Sequence, residues 1–551
     1  MSILAGGITP ASATAVCAGT AVPAADVPEL LAGLVDRSLF QLAPDPGRYR
    51  MLETLREYGT DRLAETGDLG TVRDLAAGYF AELIARHDPP LRGPGQLPAL
   101  RVVSAEYDNA LAALRRRCDT GDGPGAVALA LNLTWYWQMF GRRSDAAYWL
   151  GEAVAVPGGE ATPDRDCARA IHLLSFGAGM TAELTDRLLA DPELTGRYGA
   201  LIALLPAEPV LERLAGGGDV WLSGLAHLLR AERAENAGEL DQVRTDVAAA
   251  LACFRRAGDR WGQATVLPLR AQLRQYDGDL DGALADLRAA RSLAGEFGAL
   301  GRSDEVFIDL RWFDLYLRRG DTDLAIAVIG SARERALRAN SPETLALIDA
   351  WEAGFRVRLG DLDRARELLD DAERTLPGDT TFPGDHARTL LGNMRAVLCL
   401  ELGDQAGAGA ALAKAYAAAV AARDLPILSL VAVTSAAFVS AQRRQHESAV
   451  LLGAAARLRG AHDRTDRRFR ELTRRGRAAL GEEAFAEAYG KGWELDGKTA
   501  VTQVDPARPA ARWPATAAAA KSETGAVRSP NEAAVGAVGA DVHDRRVDHT
   551  R

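Results

Sequence analysis

The chain has 551 residues, 48% of them hydrophobic and 25% charged, with a net charge of −10. That is the profile of a folded globular protein rather than a disordered or collagen-like one. The acidic balance argues against nucleic acid as the main partner of these residues. Five cysteines (Cys17, Cys118, Cys167, Cys253, Cys399) lie far apart and form no CxxC pair, which reads as buried, reduced thiols. The start shows no basic segment leading an apolar stretch, so a cytoplasmic location is expected.

In chain order, Asp26-Val27-Pro28-Glu29 has the form of a capping box, followed by an amphipathic helix carrying Leu30, Leu31, Leu34 and Val35. Ser38–Leu42 and Arg48–Leu52 flank the turn Ala43-Pro44-Asp45-Pro46-Gly47 and read as a β-hairpin, with a helix from Glu53 to about Glu65 behind it. Helices followed by a hairpin suggest a winged helix. Five arginines (37, 48, 50, 56, 62) face six acids between Leu30 and Thr66, so no direct DNA contact is expected here. The apolar face of residues 27–36 is expected to be uncovered and to favour self-association. Trp135, Tyr136 and Trp137, with Phe140 and Trp149, read as core of a first helix pair rather than a stacking site.

A glycine followed by an acidic residue and an amphipathic run recurs at Gly238-Glu239, Gly278-Asp279, Gly320-Asp321, Gly360-Asp361 and Gly403-Asp404, spaced by 40, 42, 40 and 43 residues. An earlier copy starts at Gly141 and a degenerate one at Gln445-His446-Glu447, with an irregular stretch between Gly141 and Gly238. Glycine ends one helix in the left-handed conformation, and the acid caps the next. After Gly278, Leu280, Ala283, Leu284 and Leu287 mark one buried face. A lone pair cannot bury such a face, so the units must stack. The 18 uncharged residues from Leu425 to Gln442 fall where this pattern requires a buried helix, so no membrane span is expected.

Gly492-Trp493-Glu494-Leu495-Asp496-Gly497-Lys498-Thr499 fits the phosphate-binding pattern GxxxxGK[ST]. A helical run precedes it and a Pro/Ala-rich tail follows, which is the wrong frame for a strand–loop–helix nucleotide site. The eight histidines are scattered, and no Gly-x-Ser-x-Gly elbow occurs. The tail from about residue 500 should be disordered.

Several segments carry a family resemblance. Leu34-Val35-Asp36-Arg37-Ser38-Leu39 and Gly47-Arg48-Tyr49-Arg50-Met51-Leu52-Glu53-Thr54-Leu55-Arg56-Glu57-Tyr58 resemble the winged helix that closes the NB-ARC ATPase module of actinobacterial SARP/AfsR-type regulators. So does the opening Leu4–Thr9 with Val16-Cys17. Glu106-Tyr107-Asp108-Asn109-Ala110-Leu111-Ala112-Ala113-Leu114, Phe254–Gly262 and Leu451–Gly460 are similar to blocks of the repeat array in the same family. The resemblance spans about residues 2–500 and implies a member of the STAND class of signal-transducing NTPases. Such regulators carry an OmpR-like DNA-binding domain, an activation domain and a nucleotide-binding core. These would lie upstream of Met1, so their residues map onto no position of this chain.

The expected fold is all-α: a tetratricopeptide-like α-solenoid with an N-terminal winged-helix module carrying a short β-hairpin. The expected layout is 1–68 winged helix, 69–102 connecting helices, 103–499 helical repeats and 500–551 disordered tail. The expected function is the sensor region of such a regulator, binding a protein or small-molecule signal in the solenoid groove. It is not expected to be an enzyme, and no catalytic residue, cofactor or metal ligand is assigned. A stand-alone scaffold is the alternative, and a nucleotide-binding enzyme acting through residues 492–499 is a third reading.

Overall fold

The computed structural model describes residues 1–43, 47–157, 162–175, 181–189, 196–204, 208–297, 302–339, 342–376 and 384–507. Residues 1–506 form one compact unit. The expected disordered tail lies almost wholly outside the described residues.

The chain opens with α1 (Pro10–Cys17) and α2 (Val27–Asp36). Then come β1 (Gln41–Leu42), β2 (Tyr49–Arg50) and α3 (Glu53–Glu65). The strands pair antiparallel, and Ile8 bridges to Tyr49. Each strand is only two residues long, shorter than the sequence suggests. The capping box at Asp26 does not form. A short 3-10 turn (Ala24–Asp26) runs straight into α2, so Asp26 is itself helical and its carboxylate caps nothing. The box forms instead at α1, where Ser12 N donates to Thr9 Oγ1 (3.1 Å) and Thr9 N to Ser12 Oγ (2.9 Å). The apolar face of α2 is also better covered than its composition implies. Val27 and Leu31 are buried, Leu34 and Val35 half-buried, and of the five only Leu30 is exposed.

A second group follows: α4 (Leu69–His87), α5 (Gln96–Ala105), α6 (Tyr107–Asp119), α7 (Gly123–Met139) and α8 (Arg143–Ala155). The irregular stretch holds α9 (Pro163–Ser175), α10 (Ala182–Leu189), α11 (Gly196–Ala203) and α12 (Glu208–Ala215). Three of these are 8-residue helices, too short to continue the period.

Six antiparallel pairs come next: α13 (Val220–Asn236) with α14 (Leu240–Ala257), α15 (Arg260–Asp277) with α16 (Leu280–Gly295), and α17 (Arg302–Arg319) with α18 (Thr322–Ala339). The other three are α19 (Pro342–Leu359) with α20 (Leu362–Thr375), α21 (Gly384–Glu401) with α22 (Gln405–Ala422), and α23 (Leu425–Ala441) with α24 (Gln445–Arg459). This is a tetratricopeptide-like solenoid. The five junction glycines all have positive φ, from 67° at Gly238 to 92° at Gly320. Asp279, Asp361 and Asp404 accept from the backbone N–H three residues on and so cap the second helices. In the degenerate sixth copy Arg443 takes the glycine's place with φ 62°. It is exposed and strained, so Arg443→Gly should stabilise the chain by roughly 0.5–1 kcal/mol, read as a rise in denaturation midpoint. α23, the uncharged run, has eleven buried residues, and no described helix is long and apolar enough to cross a membrane.

α25 (Arg467–Leu480), α26 (Glu482–Trp493) and α27 (Gly497–Gln503) close the unit. α27 runs across residue 499, the boundary expected from sequence, because Ala500 and Val504 are buried and extend the fold.

Candidate functional site

The block Glu106–Asn109 fastens the N-terminal module to the helices behind it. Arg48, just before β2, forms an ion pair with Glu106 at 2.5 Å, with both side chains about 95% buried. Arg48 Nη1 also donates to the Gly6 carbonyl (2.7 Å). Asn109 Nδ2 donates to Glu106 (2.7 Å) and to the Gly7 carbonyl (3.1 Å), while Gly6 N donates to Asn109 Oδ1 (2.9 Å). Tyr107 points the other way. Its hydroxyl donates to Asp145 (2.6 Å) and accepts from Trp137 Nε1 (2.8 Å), and burial with that carboxylate pushes its pKa upward. One four-residue motif thus ties together residues 6–7, the hairpin, α7 and α8.

The block Phe254–Gly262 does the same between α5 and the solenoid. Asp259 is fully buried. It accepts from Gln96 Nε2 (2.9 Å), Trp221 Nε1 (2.7 Å) and Gly262 N (2.5 Å). Burial pushes its carboxyl up to about 6 against the pull of those three donors. Trp135 packs edge-on against both Trp221 (4.9 Å) and Trp261 (5.3 Å), which makes the aromatic run of α7 core. Trp149 and Phe140 at its edge are half-buried.

The array curls until its first and sixth pairs touch. Gly238 and Gly460 meet so closely that a β-carbon on Gly238 would overlap the Leu458 carbonyl, and one on Gly460 the Gly238 carbonyl. In the same block Gly453 crosses Gly492 with backbone in contact. The first helices of the pairs line the inside. There Glu235 of α13 faces Arg311 of α17 at 3.7 Å, and Glu232 is pushed up to about 7 by burial and by Glu235. Asp463, 1% exposed, anchors the loop before α25. It accepts from Arg318 Nη1 (2.8 Å), Arg459 Nη1 (3.5 Å), Thr465 N (2.9 Å) and Thr465 Oγ1 (2.6 Å).

With its loop held there, α25 lies against the channel and forms one wall of a cavity of about 400 Å³ lined by α17, α19, α21, α23 and α25. Its wall carries Trp351, Phe355 and Met394 beside Arg358, Arg467 and Arg468. None of these six was singled out as a binding residue from sequence. The available signal was the arginine-rich run of residues 467–477, which reads equally well as a solvated face.

The phosphate-loop match takes a different place. Gly492 sits inside α26 at its crossing with α24, and Lys498 lies in the first turn of α27. A helix, not a disordered tail, follows the motif. Asp496 caps that helix, accepting from Thr499 N (3.0 Å) and Thr499 Oγ1 (2.6 Å), so a carboxylate already occupies the position a phosphate would need. Calorimetry with Mg-ATP should therefore show no heat of binding; micromolar binding abolished by Lys498→Ala would reverse that reading. Among the described residues no group of three or more His, Cys, Asp or Glu side chains converges as a metal site. All five cysteines are free thiols, but only Cys167 and Cys399 are buried; the other three are half-buried, contrary to the expectation from spacing.

The fold and its inner channel define an α-solenoid of the tetratricopeptide kind. Over 299 residues the chain is 26% identical to proteins named HTH-type transcriptional regulators from Mycobacterium bovis and Mycobacterium tuberculosis, a match covering 53% of this chain and 32% of each relative. The chain thus spans about a third of the length of the curated relatives it matches. No protein-family model matches it. Among solved structures it is similar to a STAND protein with a tetratricopeptide-repeat sensor from Pyrococcus horikoshii, with a TM-score of 0.35, 13% identity, and 89% of this chain and 63% of that chain covered. It is also similar to yeast Tom70, with a TM-score of 0.31, 13% identity, and 73% and 96% covered.

Proposed function

We propose that this chain is the sensor region of a SARP/AfsR-type transcriptional regulator. In this reading the solenoid channel receives a protein or small-molecule signal, and residues 1–68 are the winged helix that closes an NB-ARC-like ATPase module. The observation that carries it is the inner cavity of a solenoid whose N-terminal end is fastened, through Arg48, Glu106 and Asn109, to a compact helix–hairpin module. A packed, hydrogen-bonded joint of this kind is one route by which occupancy of a channel reaches an attached domain. The distant likeness to transcriptional regulators supports the same reading. Exposed Leu30, Leu42 and Leu52 on the module suit a surface on which an ATPase core would pack. The chain itself is proposed to be non-enzymatic and cytoplasmic, to lack direct DNA contact, and to act through binding.

Mapping the transcript and reading frame upstream of the Met1 codon tests this. We expect a continuous frame encoding a nucleotide-binding and a DNA-binding domain. An unrelated gene or a promoter directly upstream would instead establish a stand-alone scaffold.

A further inference from the structure

We infer that the cavity under α25 is a binding site for a small organic anion with a flat apolar body. The inference rests on the channel being the ligand-binding part of the chain, and it names the class of ligand. Size comes first. The cavity is about 400 Å³, within the range of roughly 300–1,000 Å³ that holds small ligands. With α25 laid against the channel, the space is a partly enclosed recess of small-ligand size.

Charge comes next. Each acid on the wall is already engaged. Asp314 pairs with Arg318 (2.6 Å), Glu471 pairs with Arg475, Glu401 lies 3.7 Å from Arg468, and Asp466 accepts from Phe469 N (2.9 Å) as a helix cap. Arg358 and Arg467 line it with exposed side chains that have no partner among the described residues. Arg468, which pairs with Glu401, keeps 30% of its side chain exposed on the same wall. Burial lowers its pKa, and the charge of Arg358 lowers it further. Guanidiniums that line one recess without acids of their own offer an anion charge-assisted hydrogen bonds.

A third observation is independent of charge. Asn393 lines the same cavity, is 3% exposed, and its buried Oδ1 has no hydrogen-bond partner among the described residues. A buried acceptor without a partner is costly in a native fold. As an acceptor, this oxygen suits an N–H or O–H on the body of a ligand, not its anionic group. Trp351 and Phe355 supply the apolar wall, against which a flat ring packs.

The test uses the full chain with two fluorescent probes: anilinonaphthalene sulfonate, which is anionic and aromatic, and neutral phenylnaphthylamine. The sulfonate should bind saturably at one site, and the double variant Arg358→Ala/Arg467→Ala should weaken it by roughly tenfold or more. The neutral probe should be unaffected. Neither arginine holds a structural contact, so the variant should fold, and circular dichroism checks that. The Arg358→Lys/Arg467→Lys pair should recover part of the affinity, because charge is kept while the planar fork is lost. Equal binding of both probes to both proteins would overturn the anion assignment and leave the sensor reading standing. Failure of the sulfonate to bind would overturn the anion site, while the sensor reading is decided separately by the reading frame upstream of Met1.

Discussion

Glu106→Ala should destabilise the joint between residues 1–66 and the helices behind it by about 3–5 kcal/mol, the cost of breaking a buried ion pair from one side. The change takes from Arg48, about 95% buried, the carboxylate it pairs with at 2.5 Å. It also removes the carboxylate to which Asn109 donates. Because a chain of this size need not unfold in one step, the loss is best read locally. Hydrogen exchange should rise sharply across α1, α2 and the β1–β2 hairpin, while α19–α24 keep their protection. The double variant Arg48→Met/Glu106→Leu should cost far less than either truncation, since the penalty lies in the stranded charge rather than in the loss of the pair. Unchanged exchange over residues 1–43 in Glu106→Ala would show that apolar packing alone holds the module.

The repeating architecture was legible because it rests on local chemistry. A glycine that leaves a helix through positive φ and an aspartate that caps the next helix are both encoded within four residues, as at Gly278-Asp279 and Gly282. The failures have local causes as well. Asp26 has the right identity for a cap, but a 3-10 turn upstream puts it in helical conformation. The junction at Arg443 was legible only as a degenerate copy starting at Gln445, because the residue that adopts φ 62° is not glycine. The blocks Glu106–Asn109, Phe254–Gly262 and Leu451–Gly460 stood out as family-like without a visible reason. The structure supplies one for each, and every reason is long-range: Glu106 reaches Arg48, Asp259 reaches Gln96, and Gly460 reaches Gly238. The candidate site was not legible at all. Arg358, Asn393 and Arg467 belong to three different helices, and only the curl of the array brings them to one cavity. Periodicity places each on a helix face but says nothing about which faces meet.

The second large effect is expected at Asp463. This carboxylate holds the loop between α24 and α25, and with it one wall of the cavity. Asp463→Ala should cost about 3–5 kcal/mol of local stability, because Arg459, with 4% of its side chain exposed, loses the acid it pairs with, and Arg318 loses one of its two acid partners, Asp314 and Asp463. The loop also loses the acceptor for Thr465 N, Thr465 Oγ1 and Asp466 N (3.2 Å). Acid titration gives an independent readout. Burial raises the Asp463 pKa, but the guanidiniums of Arg318 and Arg459 and the Thr465 donors outweigh it, so the folded value lies below the ordinary carboxylate range. For an acid whose pKa is depressed on folding, the stabilisation is fully present above the unfolded value of about 3.9 and is lost as pH falls through the folded value. The wild-type chain should therefore lose protection in α25 below about pH 4, whereas Asp463→Asn should start lower at neutral pH and show a flatter acid limb. The cavity should respond too. Releasing α25 removes that wall, so anilinonaphthalene sulfonate should bind the Asp463→Ala chain more weakly, even though Arg358 and Arg467 are intact. If α25 keeps its exchange protection in that variant, its seat depends instead on the apolar contacts of Phe469 and Leu472, and the Arg318–Asp463 pair is incidental to closure.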